Sequence, residues 1–392
     1  MNSPTTSVAQ SEAPVTKPAK SSSRTRRAKP RKKSLAVDPA LRAPKRTVGI
    51  DVSERTVQIC EIDLDGQITE IKMSNSRDRL REYFEGQDEL RIVLEVGSHS
   101  RWITELLRDL KHQVLVADPR RLKLISATLY KDDRLDAETL AMLGRESAHL
   151  LKTVEPRKLP EQQALTLGRL RRSVIKARTL TVNAIRGVMK PYGIRIRGEG
   201  RRATFAQSAR ENLTPELAVI VEPMLQVLET LNAQVAEYDK QAEKLLPVVA
   251  PKAAHLTEIP GVGALTVLYF AAVVGDPKRF SNSRDIGAYL GLCPKRDDSG
   301  ERKSALRITK AGDSYMRALL ANCATHILGP FGKDSDLRRW GLKKQGAGSK
   351  AEKRKAKVAL ARKLAVTMLA IWKAGQPYKR FRAEPEEKPH AS

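Results

Sequence analysis

A chain of 392 residues, 41% of them hydrophobic, exceeds one ordinary core and calls for two or three domains. Its 72 Lys and Arg against 45 Asp and Glu leave a formal charge of +27, which repels itself unless a polyanion is the partner; nucleic acid is expected, and charge alone says nothing of catalysis. Cys60, Cys293 and Cys323 make no CxxC pair and no even framework, which excludes a disulfide scaffold, and no apolar run approaches a signal-peptide core or the ~20 residues of a membrane span, so a reducing cytoplasm is expected.

Residues 1–46, with SSSRTRRAKPRKKS at their heart, hold too little apolar surface to offset the entropy of ordering and read as a disordered basic arm that either grips phosphates or aids solubility. Order is expected from Thr47. TVGIDVSERTVQICEIDLDGQITEIKM reads as a strand, a polar break, an alternating strand, an Asp65-Gly66 turn and a third strand. RIVLEV (91–96) and QVLVAD (113–118) flank a helical pattern of Trp102, Leu106, Leu107 and Leu110, the alternation of an α/β sheet. From about Arg120 to Leu151 the pattern turns helical and closes a domain over 47–150.

Residues 151–250 read as a basic helix followed by a coiled-coil segment. In the first, Leu167, Leu170, Val174, Ala177, Ala184 and Val188 form the packing stripe, and Arg171, Arg172, Lys176 and Arg178 lie on other faces as candidate nucleic-acid contacts. After Thr214-Pro215-Glu216, apolar residues recur at Leu217, Val221, Met224, Leu228, Leu231, Val235, Tyr238, Ala242 and Leu245 in alternating steps of four and three, the spacing of a coiled coil. Pro223 is expected to kink the first turns. The seam serves either an intramolecular helical hairpin or self-association into a dimer or tetramer, the second being preferred.

The first domain carries four candidate carboxylates. Asp51 ends the first strand and Glu95 the fourth, while Asp133 and Asp136 open a helix and share one of its faces by their i, i+3 spacing. If the first and fourth strands are neighbours, as in a ribonuclease H-like sheet, the four could hold Mg²⁺, which takes oxygen ligands and stabilises the entering and leaving oxygens of phosphodiester exchange. Asp132 shares the face and competes with Asp133. Ser98, His99 and Arg101 start a helix or touch phosphate. Late in the chain, Cys323 and His326 lie one helical turn apart, but two ligands close no zinc site.

Residues 251–392 read as a mainly helical domain that opens on EIPGVG, which resembles a helix-hairpin-helix. Its Gly261 and Gly263 allow a tight turn and bring backbone N–H groups to a phosphate. EIPGVG is followed by GDPKRF, AYLGLCPK, SG and RITKAGDSYMRALL, and that order is similar to the transposase domain of the insertion-sequence one-ten (IS one-ten) family, whose members begin with a RuvC-like DEDD domain. Asp51, Glu95, Asp133 and Asp136 match that domain in order, so the resemblance spans roughly residues 47–380. VALARKLAVTMLAIWKAGQPY matches the family's closing helix, while 331–357 is a basic link.

The resemblance implies a prokaryotic, nucleoid-associated recombinase that moves its own element, with donor and target DNA chosen by a structured non-coding RNA, the bridge RNA. It implies DEDD carboxylates on Mg²⁺ and a serine, before a glycine in the loop after GLxP, that forms a covalent phosphoserine link. That position is Ser299, with Ser304 as runner-up. Serine is a weak nucleophile until a base or metal activates it, and Arg296, Arg302, Lys303, Arg307, Lys310 and Arg317 surround it in sequence as candidate phosphate contacts. The alternatives are a metal-only nuclease like a Holliday-junction resolvase, and an inactive nucleic-acid-binding relative.

Overall fold

The structure, a computed structural model, describes residues 45–118, 133–151, 153–196, 203–295, 298–299, 302–303 and 307–381. The basic arm of residues 1–44 lies outside them. The chain divides into two compact units, residues 1–154 and 155–392. Among the described residues no helix is long and apolar enough to cross a membrane.

The first unit contains β1 (Thr47–Val52), β2 (Thr56–Ile62), β3 (Ile68–Ser74), α1 (Arg77–Phe84), β4 (Arg91–Glu95), α2 (Ser100–Asp109), β5 (Gln113–Ala117) and α3 (Asp133–Glu146). The five strands lie in the order β3-β2-β1-β4-β5, antiparallel from β3 to β1 and parallel from β1 to β5. Side chains alternate across the sheet with period two. Val48, Ile50, Val57, Ile59, Ile92, Leu94, Val114 and Val116 face Leu80 and Phe84 of α1 and Ile103, Leu106 and Leu107 of α2. On the opposite face Val93, Leu115 and Ala117 meet Leu140 of α3, while Cys60 and Ile62 meet Ala137 and Ala141. Cover on both faces explains why β4 and β5 read as nearly continuous apolar runs. The expected turn is present, with Gly66 at φ +90°.

Two glycines let α3 lie directly on the sheet. A Cβ on Gly49 would overlap the Ala137 carbonyl oxygen and come within 2.5 Å of the Ala141 nitrogen; one on Gly144 would come within 2.8 Å of Thr47 Cγ2 and overlap Val93. The helix therefore runs antiparallel to β1, with its last turn over Thr47 and its first turn toward the carboxyl ends of β1 and β4. Fully buried Arg91 ties down the far end, donating to Gln113 Oε1 (2.9 Å) and to the Gly144 carbonyl (3.1 Å). Gly49→Ala is expected to destabilise the unit by about 1–3 kcal/mol, the usual cost of overpacking, because the obstacle is helix backbone rather than a flexible side chain. Urea midpoints measure it, with Gly97→Ala, where a Cβ meets nothing within 4 Å, as the neutral comparison.

The second unit is mainly helical: α4 (Leu159–Met189), α5 (Ala203–Asn212), α6 (Pro215–Val249), a 3-10 helix (Pro251–Glu258), α7 (Ala264–Val274), the single turn α8 (Ile286–Tyr289), a hairpin of β6 (Asp298–Ser299) and β7 (Arg302–Lys303), α9 (Ser314–Leu328), α10 (Asp336–Gln345) and α11 (Lys350–Ala374). The segments 151–250 and 251–392, distinguished in the sequence, share a core: Ala164, Leu165, Leu167, Ala242 and Leu246 cluster with α7, α9 and α11. Leu360, Leu364 and Met368 of the closing helix are fully buried, and Ile371 on the same stripe is partly buried against that core. The basic link contains α10, capped by Ser335, and α11 opens on a capping box of Ser349 and Glu352.

Two expectations are corrected. The α4 stripe is only partly met: Leu167 is buried as expected, but Leu170 is 49% and Val188 57% exposed, while Ala164, Gly168, Val182, Ile185 and Met189 are buried. The true seam passes through Gly168, which packs against Tyr269 of α7, and through Arg171 and Arg178, which pair with Asp239 and Asn232 of α6; these polar or featureless positions break the apolar periodicity. The α6 stripe is largely covered within the chain: Leu217, Val221, Leu228, Val235 and Ala242 are buried, so most of the seam expected to join subunits closes an intramolecular helical hairpin. Met224 of that stripe is 39% exposed, and α6 runs unbroken through Pro223.

Candidate active site

The β1–β4 register pairs Ile50 with Leu94, so Asp51 and Glu95 follow side by side at the carboxyl edge of the parallel pair. Period two places both on the face of Gly49 and Val93, beneath α3. Ala137 lies over Gly49. Residue 133 is one turn earlier, a rise of about 6 Å, and Asp51 is two residues beyond Gly49, about 6.6 Å along the strand. Backbone position 133 thus comes level with Asp51, and Asp136, which is exposed, stands on the same first turn. Asp51 and Glu95 are half-buried and engaged by polar partners.

All of these donors are carboxylate oxygens, the set that suits a hard divalent cation. Among the described residues no three His, Cys, Asp or Glu side chains stand close enough to hold a metal. Asp132 and the Asp133 side chain lie outside that description. Cys60, under the same helix, is a core thiol: burial first, then the charges of Glu138 and Glu70, push its pKa up to about 11. At the same sheet edge, Trp102 Nε1–H donates to His99 Nδ1 (3.2 Å), and His99 Nε2 lies 3.4 Å from Glu54 Oε2. When neutral, His99 is therefore held as the Nε2–H tautomer, with that N–H toward Glu54. His99 is also the N-cap residue of α2, in keeping with the helix-start reading of the sequence.

In the second unit Ser299 belongs to a hairpin. Thr309 N donates to the Cys293 carbonyl and Lys295 N to that of Arg307, both at 2.9 Å, and Asp298 and Ser299 pair with Lys303 and Arg302. Ser299 is thus the last paired residue before a two-residue connection rather than part of an open loop. Arg296, Gly300 and Ser304 lie outside the described residues, as do the side chains of Ser299, Arg302 and Lys303. The hairpin's base is fixed by Arg317, whose Nη1 donates to the carbonyls of Leu290 (3.1 Å), Ala311 (2.5 Å) and Gly312 (3.1 Å). Arg317, expected as a phosphate contact, thus has its Nη1 committed to main-chain carbonyls. Arg307 and Lys310 are exposed.

The helix-hairpin-helix expectation is met with a difference. The element before the turn is the 3-10 helix Pro251–Glu258, Gly261 turns the chain at φ +83°, and Gly263 caps α7. Cys323 is buried and 3.6 Å from Thr266 Oγ1, while His326 is exposed, so they do not face a common point.

Comparison with known proteins places both units. Residues 253–335 match the "Transposase IS116/IS110/IS902 family", and residues 48–194 match the DEDD transposases of the IS110 type. The chain belongs to the IS116/IS110/IS902 transposase family. This transposase is 28% identical over 334 residues to a "Probable family 20 transposase" of Pseudomonas aeruginosa, covering 83% of this chain and 96% of that protein. It is 25% identical over 344 residues to the "Transposase for insertion sequence element IS1111A" of Coxiella burnetii, covering 85% and 91%. A "Pilin gene-inverting protein" of Moraxella lacunata is 24% identical over 150 residues, 37% of this chain and 45% of that protein. The transposase is therefore an enzyme acting on DNA, in transposition and recombination.

Its candidate DNA-binding cations differ in availability. Arg171 is ion-paired to Asp239 (2.7 Å) and reaches the Tyr315 hydroxyl (3.4 Å). Burial lowers its pKa, but the Asp239 hydrogen bond and charge outweigh this and leave it raised. Arg172 donates to Ser314 Oγ (3.0 Å) and lies over the Tyr315 ring, and Arg178 donates to Asn232 (3.3 Å). Lys176 is exposed on the helix surface. Arg171→Ala is expected to cost about 1–3 kcal/mol of stability, between the values for exposed and buried ion pairs. Lys176→Ala should leave the melting temperature unchanged and lower DNA affinity at low salt; thermal melts and anisotropy titrations read the two effects separately.

Proposed function

We propose that this transposase cuts and rejoins DNA through a covalent bond between Ser299 and a DNA phosphate, using a divalent cation held by Asp51, Glu95, Asp133 and Asp136 in a ribonuclease H-like unit. A structured non-coding RNA selects donor and target DNA, and a homo-oligomer supplies the several active sites that exchange requires. The observation that carries the reading is the common placement of Asp51 and Glu95 on the sheet face covered by the helix that opens with Asp133 and Asp136.

The carboxylates bind and orient the cation, which supplies Lewis-acid stabilisation of the charge that develops on the phosphate oxygens. Ser299 Oγ attacks the phosphorus; its bond to phosphorus forms as the bond to the leaving deoxyribose oxygen breaks, and the serine proton passes to solvent or to that oxygen. A hydroxyl of the other strand then displaces Ser299, restoring both the phosphodiester and the serine, so that no external energy source is needed. The hairpin presents the nucleophile, and Arg307 and Lys310 are available to hold phosphates near it.

The test combines the full chain, element DNA, target DNA, Mg²⁺ and the RNA transcribed beside the element, followed by denaturation and gel analysis. DNA attached to protein, dependent on both cation and RNA, is the expected result. Free cut ends with no adduct would favour the metal-only nuclease, and Mg²⁺-independent binding without cutting would favour an inactive relative.

A further inference from the structure

We propose that the groove between the Ile259–Gly263 turn and the loop around Phe331 holds one unpaired nucleotide of a nucleic-acid strand, its base stacked on Phe331 and its phosphate met by Lys333 and Arg380. The inference rests on the proposed function only in taking nucleic acid as the partner.

Phe331 is 86% exposed, the highest exposure among the large hydrophobic residues described. Its exposure is built in rather than the result of a slack loop. The Arg338 guanidinium donates to the carbonyls of Ile327 and Gly329, the latter at 2.7 Å, and Gly332 N donates to Gly329 O at 3.2 Å. A Cβ on Gly332 would overlap the Ile327 carbonyl, so the backbone beside the ring is seated against α9. Ser335 closes the loop by capping α10. A ring held out of the core by this many contacts forgoes burial and keeps both faces open to a flat partner.

The ring borders a groove of about 480 Å³ whose wall also includes Gly261, Gly263, His326, Lys333 and Arg380. Gly261, at φ +83°, brings main chain rather than side chain to the surface. Arg380 is delivered by the tail after α11, where its carbonyl accepts from Asp336 N at 3.0 Å. Glu258 is the acid on the wall, opposed by Lys333 and Arg380 and by the chain's excess of 72 basic over 45 acidic residues. A groove of this size suits a small ligand or a single nucleotide. An open aromatic face flanked by cations is the arrangement that binds single strands, because each base offers a π-face and the cations track the backbone. Paired bases keep their faces inside the duplex, so the ring selects unpaired nucleotides. A protein side chain would use the ring but leave the cations without a partner.

The experiment uses the full chain without Mg²⁺, to prevent cutting, and follows anisotropy of labelled oligo(dT), oligo(U) and a duplex. Phe331→Ala, which removes an exposed side chain and leaves the fold intact, is expected to weaken single-strand binding roughly tenfold, the scale of one base–aromatic stack, with duplex affinity unchanged and Phe331→Trp restoring the loss. Loss confined to oligo(U) identifies RNA as the source of the nucleotide, and loss confined to oligo(dT) identifies DNA. Unchanged single-strand affinity in Phe331→Ala, or an equal fall for the duplex, overturns the proposal while leaving the Ser299 reaction standing. Absence of binding to any of the three ligands by the wild-type chain removes the nucleic-acid reading beneath both.

Discussion

Asp51→Asn is expected to lower cation-dependent DNA cleavage by roughly 10³-fold or more, since a bound cation is worth several kcal/mol of transition-state charge stabilisation and each 1.4 kcal/mol is a factor of ten. The substitution preserves volume and one oxygen but removes the charge. Because Asp51 sits at the strand's end and only half-buried, the β1 core of Val48 and Ile50 is untouched and the variant should fold. The effect should appear in cleavage and not in DNA affinity, which the Lys and Arg surface supplies. Glu95→Gln, on the neighbouring strand at the same edge, should give a loss of similar kind, and raising the Mg²⁺ concentration should partly restore either variant if the defect is in holding the cation. Wild-type cleavage by Asp51→Asn would remove the carboxylate edge from the mechanism.

Much of that edge could be read in the sequence because strands announce themselves by period two and by turn residues. Asp51 and Glu95 each end an apolar run, whereas the adjacency of the first and fourth strands is a condition of the sequence reading that the β1–β4 register meets. What could not be read was the role of Gly49 and Gly144. A glycine in a strand or helix signals close approach only when its partner is known, and here the partner is α3, which follows a segment outside the described residues. The short helix α1 was missed because, of its eight residues, only Leu80 and Phe84 are buried, too few to establish a period. In α4 the signal misled. Arg171 and Arg178 face α6 in a seam where hydrophobicity alone would place leucines, and Gly168 leaves room for Tyr269, whose Cε2 would lie 2.6 Å from an added Cβ. Polar residues satisfied by Asp239 and Asn232 look in sequence like a solvent face, so the basic stripe was overcounted as a binding surface.

Ser299→Ala should abolish the protein–DNA adduct and lower strand exchange by at least about 10³-fold, because loss of the nucleophile removes the covalent route and leaves only binding and charge stabilisation. The variant should fold, since Ser299 contributes its backbone to the pairing with Arg302 and alanine keeps that pairing. The comparison with Ser304→Ala is informative: Ser299 immediately precedes the connection and is followed by Gly300, whereas Ser304 follows β7 in the sequence. If Ser304→Ala loses the adduct and Ser299→Ala keeps it, the assignment moves by five residues and the covalent mechanism survives. If neither variant loses it, the hairpin is not the source of the nucleophile. The decisive pattern crosses the two sites. A covalent mechanism requires Ser299→Ala and Asp51→Asn to abolish the same product, whereas a metal-only nuclease requires Asp51→Asn alone to stop cutting while Ser299→Ala continues to release free ends.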